Sequence, residues 1–125
     1  MVTDDPEGGE ANEVYLLDLL DEHGRMRVNK RKCGTCIYFK ENRMFLDEGR
    51  REQMETDAIA ANTFIPCHQT IPASTYDAPP AICHGFWHQG QGRYRSWPLR
   101  FADQRSAVIE VEPPCITWNL PKGPA

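Results

Sequence analysis

The chain has 125 residues, room for one domain with a modest core, and hydrophobic residues make up 40% of it. No apolar run approaches the roughly 20 residues that cross a bilayer, and Thr3-Asp4-Asp5-Pro6-Glu7 near the start has nothing of a secretion signal, so a cytoplasmic protein with no membrane partner is expected. The net charge of −4 is unevenly spread: residues 1–22 hold eight of the 18 acids, and all 14 Lys and Arg lie beyond them.

In chain order, residues 1–12 lack an apolar pattern and are expected to be a disordered acidic arm. A domain over 13–115 and a loose Pro-rich tail over 116–125 should follow. Glu13 to His23 reads as a helix with Val14, Leu16, Leu17, Leu19 and Leu20 on one side, stopped at Gly24. Residues 25–29 alternate like a short strand and lead into Lys30-Arg31-Lys32. This opening is similar to the start of a winged-helix domain, but Cys33-Gly34-Thr35-Cys36 stands where a recognition helix should be.

Ile37-Tyr38-Phe39 reads as a short strand or turn. Asp47 is the expected cap of a helix over about 48–61, with Met54, Ala58 and Ala61 inward and Asn62 as a left-handed stop. Thr63 to Pro66 should be extended, and residues 72–80, rich in proline and small residues, form a loop. A helical turn carrying Cys83 is expected over 81–88 and is broken by Gln89-Gly90-Gln91-Gly92. Pro98 suits the first turn of a helix over 97–105, and residues 108–112 form the clearest strand. The fold class is therefore α+β: a small single domain of short strands and two or three helices.

Four cysteines dominate the chemistry. Two residues separate Cys33 from Cys36, 30 separate Cys36 from Cys67, and 15 separate Cys67 from Cys83. In a reducing compartment such spacing favours metal ligation over disulfides. Four thiolates would satisfy tetrahedral zinc and staple a small domain, so zinc is the expected cofactor, with a 4Fe–4S cluster as the alternative. His68 and His84, each following a cysteine, either replace a ligand in a Cys3His site or donate a hydrogen bond to a thiolate. Cys115 is left outside the site as a free thiol.

The segments Cys33-Gly34-Thr35-Cys36-Ile37-Tyr38-Phe39, Asn42-Arg43-Met44, Gly49-Arg50, Ile65-Pro66-Cys67-His68-Gln69-Thr70 and Ala81-Ile82-Cys83-His84-Gly85-Phe86 together resemble a family of small, largely uncharacterised four-cysteine proteins of actinobacteria and their phages. The resemblance spans about residues 33–112. It implies that the four cysteines act as one set with His68 as companion, and it carries no activity. It departs at His84, where that family has a basic residue.

Two partner classes follow from the residues. Arg25, Arg27, Lys30, Arg31 and Lys32 before the cysteine pair, with Arg43 and Arg50 after it, form a candidate nucleic-acid surface. A later group, Arg93, Arg95 and Arg100, is interleaved with Tyr94 and Trp97, as single-strand stacking requires. The alternatives are a protein-binding adaptor using the acidic arm and leucine-rich first segment, or an iron–sulfur redox or regulatory protein. The sequence argues against an enzyme: four thiolates leave zinc no open position, and no phosphate-cradling or zincin motif is present, so no small-molecule substrate is expected.

Overall fold

A parallel pairing between two distant parts of the chain organises the fold. In the computed structural model, which describes residues 14–72 and 74–117, β1 (Met26–Asn29) pairs in parallel with β2 (Val108–Val111), Met26 opposite Val108 and Asn29 opposite Val111. The acidic arm expected over 1–12 and most of the tail expected over 116–125 lie outside the described residues.

The other edge of β1 carries single bridges rather than a named strand. Val28 pairs in parallel with Ile82, and Ile82 pairs antiparallel with Pro66. Ile82 donates its N–H to the Arg27 carbonyl and accepts from Asn29, both at 3.0 Å. Cys67 donates to the Ala81 carbonyl at 2.8 Å, and Cys83 to the Ile65 carbonyl at 2.9 Å. Two cysteines thus sit on adjacent extended segments beside the sheet.

Four helices appear among the described residues: α1 (Arg50–Ala60), α2 (His84–His88), α3 (Gly92–Arg95) and α4 (Trp97–Gln104). α1 starts after Gly49, whose φ of 81° is left-handed, and Asp47 contributes its backbone carbonyl to the Arg50 N–H, with no side-chain cap. Asn62 takes the expected left-handed conformation at φ 53°. Ala58 is buried and Met54 packs on the core, but Ala61 is exposed. α4 begins with proline in its first turn, as expected, and buries Leu99 and Ala102.

The helix expected over Glu13–His23 is not formed in its described part. Only a 3-10 turn, Leu16–Leu19, is present, and Leu20 is extended and bridges Met26. Local polar groups outcompete the helical pattern. Asp21 accepts the backbone N–H groups of His23 and Arg25, and the Arg27 guanidinium takes the Asp18 and Leu20 carbonyls that a helix would use internally. Gly24, at φ 76°, turns this hairpin.

Leu19, Val28, Ile82, Phe86 and Leu99 are fully buried, and Cys33, Cys36, Cys67 and Cys83 lie in the same core cluster. The result is a small α+β domain. No helix among the described residues is long and apolar enough to cross a membrane.

Candidate metal centre

The Cys33–Cys36 knuckle is a tight turn closed by the Cys36 N–H on the Cys33 carbonyl at 3.1 Å. Gly34 is needed there for space rather than for φ. Residues Ile116 and Thr117 cross over it, a Cβ would overlap the Thr117 carbonyl, and the Gly34 N–H donates to the Cys115 carbonyl at 2.8 Å. Arg43, whose guanidinium lies 3.7 Å from the Phe39 ring centroid, adds a bond to the Gly34 carbonyl at 2.9 Å. Cys67 and Cys83 come from the extended pair described above, with Cys83 capping α2.

The four buried thiols act on one another in two pairs, Cys36 with Cys83, whose Sγ atoms are 3.7 Å apart, and Cys33 with Cys67. All four line one cavity of about 50 Å³, together with Asn29, Met54, Ile65 and the two histidines. Backbone N–H groups pull each thiol's pKa downward: Thr35 acts on Cys33, Tyr38 and Gly85 on Cys36, Gln69 on Cys67, and Phe86 on Cys83. Such donors stabilise negative sulfur.

Within each pair one thiol lends its proton to the other. Cys36 is lowered to about 7 by the hydrogen bond from Cys83, and Cys67 to about 7 by that from Cys33. Cys83 and Cys33 are pushed up by the same bonds and by burial.

Among the described residues no three His, Cys, Asp or Glu side chains are gathered closely enough to form a finished ligand set. What is present is four thiols lining one cavity, of which Cys36 and Cys83 stand as close as two ligands of one small ion do. Two sulfurs each roughly 2.3 Å from a tetrahedral zinc stand about 3.8 Å apart, against 3.7 Å for Cys36 and Cys83. A cubane cluster, which puts each cysteine on a separate iron, needs its sulfurs farther apart.

His68 is beside this centre: its Nε2 is 2.6 Å from Thr35 Oγ1 and 3.6 Å from Cys33 Sγ. Burial lowers its pKa, which favours the neutral ring. His84 directs Nδ1 to the Asn29 carbonyl at 3.0 Å, so that nitrogen carries the proton and is not a ligand atom. Cys115 turns its thiol to Thr117 Oγ1, 3.2 Å away.

The basic residues expected to form one nucleic-acid surface are largely engaged within the fold. Arg25 pairs with Asp21 at 3.0 Å, and Arg27 is held by the Pro80, Leu20 and Asp18 carbonyls. Lys30 and Arg31 share Glu112 at 3.7 and 3.0 Å, while Lys32 and Arg43 lie over Phe39. Arg50 stands exposed at the start of α1.

Three exposed aromatics lie on α3 and α4. Tyr94, Trp97 and Phe101 are 53%, 55% and 46% exposed. Trp97 and Phe101 stack, with centroids 5.3 Å apart. Tyr94 and Trp97 are among the residues expected from the sequence; Phe101 and Asn29 are not. Phe101 was detectable as the residue one turn after Trp97; Asn29 gave no signal.

Comparison of the chain with family models, with curated proteins and with solved structures returned no match.

Proposed function

We propose that this chain is a structural zinc domain in which Cys33, Cys36, Cys67 and Cys83 bind a single ion. The observation carrying this reading is the 3.7 Å approach of Cys36 and Cys83 from remote segments, at the edge length of a zinc tetrahedron, on the cavity that Cys33 and Cys67 also line. The N–H groups around the sulfurs add support, because thiolates gain from them more than thiols do. A saturated four-thiolate ion has no position for water or substrate, so its role is to hold the fold. Elemental analysis of anaerobically purified protein is expected to give one zinc per chain. About four irons per chain would replace zinc with a cluster.

The stapled body then acts as a binding module, and single-stranded nucleic acid is its proposed partner. The carrier of that reading is the run along α3 and α4 in which exposed Tyr94, Trp97 and Phe101 alternate in sequence with exposed Arg95, Arg100 and Arg105, Arg95 lying 3.9 Å from Glu55. Aromatic faces stack bases without sequence preference, and neighbouring arginines meet the phosphates. Labelled single-stranded DNA at low salt should bind, and Trp97→Ala should cost about 1–3 kcal/mol. No binding at low salt overturns this role.

A protein partner is the second reading, favoured by Leu17. That side chain is 79% exposed and shares with Trp97 and Phe101 an apolar groove of about 370 Å³. Base stacking gives no reason for an exposed leucine there. An apolar segment flanked by acids, which Arg100 and Arg105 would meet, is the occupant of this reading. Leu17→Asp weakening capture of such a peptide, but leaving DNA binding intact, would favour it.

A further inference from the structure

Asn29 is a buried polar residue at the end of β1, 1% exposed, in the wall of the cysteine cavity. Its backbone is fixed at both ends: its N–H donates to the Ile82 carbonyl at 3.0 Å, and its carbonyl accepts from His84 Nδ1 at 3.0 Å. The side chain therefore has little freedom. Its amide lies in the wall of the same cavity as the Cys67 thiol and helps to lower that thiol's pKa, while Oδ1 is buried with no hydrogen-bond partner.

An orphaned buried oxygen is costly, and cores rarely keep one without a reason. Turning the amide over would set Oδ1 against the sulfur, acceptor to acceptor. The orientation that spares the sulfur is the one that strands the oxygen. We infer that Asn29 is a positioning residue for the metal centre: its Nδ2–H holds the Cys67 thiolate toward the ion, at the expense of an unpaired Oδ1. This rests on the zinc reading proposed above. The chemistry is that of an outer hydrogen bond to a ligand, which fixes its direction and offsets part of its charge.

Asn29→Leu separates this role from simple packing, because leucine has the same branching and neither polar atom. Three measurements are made on full-length wild type and variant: zinc affinity by chelator competition, the cobalt-substituted absorption spectrum, and the urea midpoint of metal-free protein. The expected result is a loss of zinc affinity of roughly 10- to 100-fold, a shifted sulfur-to-cobalt band, and a metal-free midpoint equal to or above that of wild type. Equal zinc affinity and identical cobalt spectra in the two proteins overturn the inference and leave the site standing. A wild type that binds neither ion overturns the site itself. Should Asn29→Leu not fold, Asn29→Asp, which keeps the shape and loses the donor, is read by the same zinc and cobalt measurements against the same outcomes.

Discussion

Gly34 shows how a residue chosen for space can control a centre it does not join. The Ile116–Thr117 backbone crosses directly above it, and the Cys115 carbonyl is tied to its N–H. Any side chain at this position must push either that crossing segment or the knuckle. Gly34→Ala is therefore expected to destabilise the domain by about 1–3 kcal/mol, as overpacking does, and to weaken zinc uptake as well, since Cys33 and Cys36 move with the knuckle. Urea unfolding with and without added zinc checks it; an unchanged midpoint in both would mean that the overlying segment yields freely. At this scale the sequence was readable where side-chain chemistry is distinctive. Cys33, Cys36, Cys67 and Cys83 announce themselves by spacing, and the structure places all four on one cavity. Asn29 could not be found that way, because an asparagine at a strand end is unremarkable until its neighbours in space are known.

Among the elements, those set by local chemistry were legible and those set by competition were not. α1 and α4 follow from apolar spacing with stop signals at Asn62 and a proline start at Pro98. The Leu16–Leu20 stretch has an equally good helical pattern and does not follow it, because Asp21 captures the N–H groups ahead and Arg27 the carbonyls behind. Asp21 is thus the keystone of the hairpin between Leu20 and Met26. Its carboxyl is held below the usual 3.8, first by the Arg25 backbone N–H and then by the His23 N–H and the Arg25 side chain. A folded value lowered in this way means that the carboxylate stabilises the fold above its unfolded pKa, and that the contribution fades as pH falls through the folded one. Asp21→Asn should therefore be less stable than wild type near neutrality. The gap in urea midpoint should narrow below about pH 4, where wild type loses the same charge. A gap independent of pH would assign the effect to shape rather than charge.

For the molecule as a whole, the difficulty is connectivity. β1 and β2 pair from nearly opposite ends of the described chain, and the segments carrying Cys67 and Cys83 join the same sheet from between them. Such pairings were not visible in the sequence, since no local signal specifies which strand a distant strand will meet. They also close long loops, whose entropy must be offset by contacts formed late. The proposed ion, ligated from three segments, would offset much of that cost: structural zinc is worth on the order of 10 kcal/mol in small peptides, as much as a small domain's whole net stability. Removing the proposed ion with a strong chelator should thus lower the thermal midpoint sharply or abolish cooperative unfolding, with restoration by zinc. Cys36→Ser should resemble the chelated wild type and gain nothing from zinc, because the 3.7 Å pair with Cys83 is lost. If wild type and Cys36→Ser unfold alike in zinc, the buried thiols are core packing and the parallel sheet with Phe86, Ile82 and Leu99 suffices to hold the chain together.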